Sequence, residues 1–155
     1  NDGLRNSAGR SFIGSSVMAS IQNLLKNAIR NAIKNDSDLW NSVGGRVFYM
    51  HPVAGVAFPY LTYSFAASGP FHAMKADGPV AYVIPVFFDI FSKASAATEA
   101  ETIQDHLHAL MDSTSLSITG YADVRFLRAS EVTIFEEEMG IWHLDIQYDC
   151  ICSVT

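Results

Sequence analysis

The residues that could do chemistry are few, and their spacing limits what each can do. Asp89 interrupts an otherwise apolar run, Val80 to Ser92. A carboxyl group in such surroundings can have its pKa raised and serve as a base. For a single acid, a place at a sheet edge or a pairing with an arginine is the simpler expectation. His106 and His108 lie two apart in a helical stretch. They point to different faces and cannot share a metal as an i, i+4 pair would, so they are read as surface histidines. His143 is the remaining isolated titratable residue of interest. Cys150 and Cys152, the only cysteines, fall on one face of a strand. A bridge between such neighbours is strained, and two thiols without nearby histidines make a poor metal site. Buried free thiols in a reducing compartment are expected. The run Glu136-Glu137-Glu138 suits a solvated turn, or contact with a basic partner, better than a metal. Lys26, Arg30 and Lys34 recur at i, i+4 and i+8. They form a solvated helix face or a contact for a partner or phosphate. There is no Gly-x-Ser-x-Gly elbow, phosphate loop, Gly-x-Gly-x-x-Gly or His-Glu-x-x-His. The expectation is a protein that is not an enzyme, with no catalytic residues, no metal and no cofactor.

The elements that would hold these residues centre on Val80 to Ser92. Both alternating sets of that stretch are apolar apart from Asp89, so a strand there must be covered on both faces. The chain's own helices can cover one face; the other needs a second layer. Pro85 cannot donate to a ladder and predicts an edge or a bulge. Upstream, Ser20 can cap a helix to about Asn35 whose stripe is Ile21, Leu24, Leu25, Ala28, Ile29, Ala32 and Ile33. Asp36 to Trp40 reads as a turn. Strands are expected at 46–50 and 60–66, with a turn-rich loop at 67–79. Phe71 and Met74 in that loop suggest a docking surface or a cover for the sheet edge. Ser95 or Thr98 caps a second helix ending near Met111, with Thr98 and Glu101 as a capping box. Two strands follow around the acidic turn. In the first, Val124, Phe126, Val132 and Ile134 share a face. In the second, Trp142, Leu144, Ile146, Tyr148, Cys150 and Cys152 point inward, while His143, Asp145, Gln147 and Asp149 point outward. The fold class is α+β: a mainly antiparallel sheet with two helices packed on it, in the order α-β-β-β-α-β-β. Neighbouring strands are antiparallel except where the second helix crosses over.

Composition narrows the partners. The chain has 155 residues, 49% apolar and only 17% charged, with a net charge of −6. Low charge leaves weakly polar surface, which favours a subunit of an assembly. The negative balance gives no overall basic footprint for nucleic acid. No apolar run is long enough for a membrane helix, and the start carries no apolar signal segment. Residues 1–17, rich in Gly, Ser and Asn, read as a disordered arm or an added leader before a natural start at Met18. Residues 18–155 form a single domain.

Three landmarks then occur in order: Asp38-Leu39-Trp40-x-x-Val43-Gly44-Gly45-Arg46-Val47-Phe48, Phe58-Pro59-Tyr60-Leu61-Thr62-Tyr63, and Val86-Phe87-Phe88-Asp89-Ile90-Phe91-Ser92. With the element order, they resemble the tail-completion, or tail-terminator, family of long-tailed bacteriophages and gene-transfer particles, over roughly 20–154. The resemblance implies a virion protein forming a ring, typically a hexamer, at the head-proximal end of the tail tube. It implies the tail-tube protein and a head-completion or connector protein as partners, with the genome passing through the lumen unbound. Phe71, His72, Met74 and Lys75 are then candidates for docking on the tube. Phe87, Asp89 and Phe91 are candidates for subunit contact. A head–tail stopper or minor tail protein of similar fold is the near alternative; a small α+β enzyme or ligand binder is the alternative of another class.

Overall fold

The computed structural model describes the backbone of residues 13–71, 78 and 80–154, and the side chains of all of these except 13–20 and 71. Helix α1 spans Ile13–Asn35. It therefore starts upstream of Ser20, within the stretch read from sequence as an arm. Ile13 and Val17 continue, in sequence, the four-residue spacing of Ile21, Leu25, Ile29 and Ile33, so nothing stops the helix at Ser20. Those last four residues are fully buried, whereas Leu24, expected in the stripe, is exposed. A short helix α2, Ser37–Ser42, replaces the expected turn. Asp36 caps it by accepting from the Leu39 N–H at 2.9 Å, and Leu39 is buried. Gly45 follows at φ +70 under the Trp40 ring, where a Cβ would stand 2.9 Å from a ring carbon.

The strands are β1 Val47–Tyr49, β2 Tyr60–Phe65, β3 Gly69–Phe71, β4 Ala81–Ser92, β5 Tyr121–Glu136 and β6 Ile141–Val154, with helix α3, Thr98–Ser113, between β4 and β5. They form one six-stranded sheet in the order β1-β2-β4-β6-β5, with β3 also on β4. The expected α+β order holds, with α2 and β3 added. Among the described residues the one parallel pair is β1 with β2, not the helix crossover as the sequence suggested. Helix α3 carries the chain to β5 at the edge, and β6 returns into the gap beside β4. β3 lies in the region read as a loop. Gly69 and Pro70 conceal it, because both residues are poor strand formers.

Pro85 does not sit at an edge: β4 is an interior strand in regular register with β6 through Pro85 and Asp149, and the irregularity expected there lies on the other side, where the pairing passes from Phe65 with Val86 to Gly69 with Val83. Its missing donor faces a break in the neighbouring strand. β2 ends at Phe65 and β3 begins at Gly69, and Ala66 N–H donates to the Pro85 carbonyl at 3.0 Å between them.

The register of β5 shifts between Arg128 and Ser130, where Ala129 is the extra residue. Before the bulge Val124 and Phe126 pair with Cys152 and Cys150 and are buried. After it, Val132 and Ile134 pair with Asp145 and His143 and turn to the opposite face. The shared face expected for these four residues is thus split by one inserted residue.

Both helices pack on the same sheet face, over Leu61, Tyr63, Ile84, Val86, Phe88, Leu144, Ile146 and Tyr148. From α3 come Ala100, Ile103, Leu107 and Met111. No capping box forms at α3; Ala97 is the N-cap without a side-chain bond. Instead the Ser92 hydroxyl donates to Glu99 Oε1 at 2.5 Å, tying the end of β4 to the first turn. Cys150 and Cys152 are free and buried, with sulfurs 3.7 Å apart. Phe88 is fully buried and meets the Tyr148 ring edge-on at 5.9 Å. Phe88→Ala should lower unfolding stability by about 3–5 kcal/mol in urea titrations, because it removes a ring where the two helices and the sheet converge.

Candidate functional site

The other face of the sheet is covered by none of the described helices. From β4 it presents Val83, Pro85, Phe87, Asp89 and Phe91, all half-buried. From β6 it presents His143, Asp145, Gln147, Asp149 and Ile151, also half-buried, and from β5 Leu127, Val132 and Ile134, all exposed. Register places these as parallel rows, with the polar row of β6 between the apolar rows of β4 and β5. The inward and outward alternation read for β6 is observed, with Trp142 only half-buried.

At one end of this face the aromatic rings line up. Phe91 stacks on Tyr60 at 4.8 Å and on the His143 ring at 4.4 Å. The strand register enforces this, since Tyr60, Phe91 and His143 are consecutive cross-strand partners. His143 Nε2 lies 2.8 Å from Asp89 Oδ1, and its Nδ1 lies 3.4 Å from Glu136 Oε1 at the hairpin turn. Asp89 is therefore held by a histidine inside the sheet, not by an arginine and not at an edge. A sequence reading had no means of joining residues so far apart. The Asp89 hydrogen bond raises the His143 pKa against the opposing effect of burial. Asp145, directly opposite Asp89 in register, has its carboxyl pKa raised by burial and then by the Asp89 charge.

The helix side holds a separate polar cluster. Tyr148 donates to Asp112 Oδ1 at 3.0 Å, and Arg128 pairs with the same carboxylate. Glu131 accepts from the Gln104 amide at 2.7 Å and stands 3.3 Å from His108 Nε2, without hydrogen-bond alignment. Burial, then the Arg128 charge, lowers the His108 pKa. His106 and His108 are half-buried rather than surface residues, and only His108 is placed against this network. The His108 ring meets Tyr148 of the sheet edge-on at 6.3 Å. Among the described residues no group of His, Cys, Asp and Glu could hold a metal, and no helix is long and apolar enough to cross a membrane.

The sheet edges differ. On β1 the Val47 carbonyl accepts from Arg30 Nη1 at 3.1 Å, the Val47 N–H bonds the Gly45 carbonyl, and the Tyr49 carbonyl accepts from the His51 N–H. That edge is sealed by the chain itself. On β5 the start is covered by Leu116, which donates to Val124, while residues beyond Leu127 are exposed. Of the sequence-proposed contact residues, Phe87, Asp89 and Phe91 share the open face. Phe71 closes β3 opposite Ala81. His72, Met74 and Lys75 lie outside the described residues.

Fold and surface together define an α+β protein whose mainly antiparallel sheet carries all its described helices on one face. The sequence matches the family model for tail completion protein gp17 over residues 27–153, and the chain belongs to that family of structural phage tail proteins. Its fold is similar to a chain in the virion of a native gene transfer agent particle, with a TM-score of 0.67 and 17% identity, covering 86% of this chain and 98% of the other. A second solved structure aligns with a TM-score of 0.58 and 14% identity over 86% of this chain and 96% of its own. No curated protein sequence matches.

Because the folded pKa of His143 lies above its ordinary value, the imidazolium stabilises the fold fully below about pH 6.5. That contribution is lost as pH rises through the raised folded pKa. An NMR titration should place the His143 midpoint above about 6.5. His143→Gln should flatten the pH dependence of melting in that window, and an unchanged profile would exclude the Asp89–His143 pair as its source.

Proposed function

We propose that this chain forms a ring, a hexamer, at the head-proximal end of a phage tail tube, where it ends tube growth and joins the tail to the head. The observation that carries this is the uncovered sheet face in a member of the tail-completion family. Half-buried Phe87, Phe91 and Val83 beside half-buried carboxylates make a surface suited to contact with another subunit. A face that meets a different surface of the next copy makes a head-to-tail contact, and such contacts form a ring when the rotation between copies closes. In this reading the protein resides in the virion, with the tail-tube protein on one side of the ring and a head-completion or connector protein on the other. The net charge of −6 suits a conduit that must pass DNA without gripping it. Residues 18–155 would be the ring-forming domain. Phe71, His72, Met74 and Lys75 would dock on the tube, and no reaction would be catalysed.

Mass measurement in solution tests the ring: a defined multiple of 17.0 kDa is expected. Phe87→Glu should yield monomers or insoluble protein, and a soluble full-size ring from that variant would remove this face from the interface. Deleting residues 72–77 should leave the ring mass unchanged yet block tail joining in particle assembly. Normal infectious tails from that deletion would end the docking role.

A further inference from the structure

Two surfaces of this chain carry opposite charge, and each keeps charged groups that make no ion pair among the described residues. Along α1, on the side next to the β1 edge, Lys26, Arg30 and Lys34 form a row spaced by single helical turns. Lys26 lies over the Tyr49 ring at 5.3 Å and Arg30 donates to the Val47 carbonyl, but among the described residues none of the three makes an ion pair. On the open face, Asp145 makes no ion pair among the described residues, although it lies opposite Asp89 beside the His143 charge, and Asp149 accepts from the Gln147 amide at 3.4 Å. The two surfaces lie on opposite sides of one sheet, so they cannot meet within a subunit.

Their dimensions match. Eight residues of helix from Lys26 to Lys34 span about 12 Å, and four residues of strand from Asp145 to Asp149 span about 14 Å. A helix laid along β6 also overhangs β4 and β5, each about 4.8 Å away. The long stems of the lysines and arginine would then rest on Phe87 and Val132 while their heads reach the carboxylates.

Competing arrangements fare worse. Two open faces placed against each other would oppose Asp145 and Asp149 to the same acids of the copy. Extension of the sheet through β1 is prevented by the bonds that seal its edge.

We propose that the open face of one subunit seats helix α1 of the next copy, with Lys26, Arg30 and Lys34 over Asp145 and Asp149. This rests on the ring reading above and names the contact that would build it.

The test uses full-length protein and complementary charge reversal. One variant carries Lys26→Glu and Lys34→Glu; the other carries Asp145→Lys and Asp149→Lys. Each alone should fall from the wild-type multiple to 17.0 kDa in analytical ultracentrifugation. Mixed in equal amounts, they should regain the wild-type mass, because each acidic helix then meets a basic face and each basic helix an acidic face. Circular dichroism checks folding, and Asp149→Lys alone replaces the double change if that variant unfolds. Variants that assemble like wild type, or a mixture that stays monomeric, would overturn this contact while leaving the ring reading standing. A wild-type protein that is monomeric at every concentration would overturn both.

Discussion

The structure depends on the burial of one sheet face under two amphipathic helices. β4 and β6 send Ile84, Val86, Phe88, Leu144, Ile146 and Tyr148 to the same side, where α1 and α3 close over them. Hydrophobic burial of this kind is non-directional, so it holds the layers together without fixing their angle. Directed polar contacts supply that. The Tyr63 hydroxyl donates to the Lys26 carbonyl at 3.0 Å, anchoring α1 over β2. Asp112, shared by Tyr148 and Arg128, anchors the end of α3 over β6 and β5.

Using both helices on one side leaves the other side open, and the open side is not an ordinary solvated face. Central-strand residues there are flanked by neighbouring strands and are half-buried without a covering layer among the described residues. Partial desolvation is what brings Asp89, His143 and Asp145 into electrostatic contact, since an attraction or repulsion that water would screen persists in a less polar setting. The Tyr60–Phe91–His143 stack shields the same group on its flank.

The sheet handles its irregularities locally. Pro85 is accommodated in an interior strand because β2 and β3 leave a gap opposite its missing donor. The Ala129 bulge transfers Val132 and Ile134 to the open face, enlarging the apolar rim of that surface at no cost to the core, which ends at Phe126 on this strand. Arg30 closes the β1 edge from the helix layer. Edge sealing on one side and a bulge on the other both disfavour simple strand addition.

Much of this was legible in the sequence. Four-residue spacing of Ile21, Leu25, Ile29 and Ile33 specified a helix and its buried side, and strict alternation in 142–152 specified β6 with its inner and outer residues. Apolar residues on both faces of 80–92 marked a central strand. Such features are periodic, and a period is a property of neighbouring residues. What tertiary structure decided is non-local. The parallel β1–β2 pair, the insertion of β6 between β4 and β5, the union of Asp89 with His143 and the shielding of Pro85 all depend on residues far apart in the chain. Even the faces of β5 escaped local reading, because one extra residue opposite a partner strand inverts every side chain beyond it, and only the register of the paired strand reveals where that residue stands.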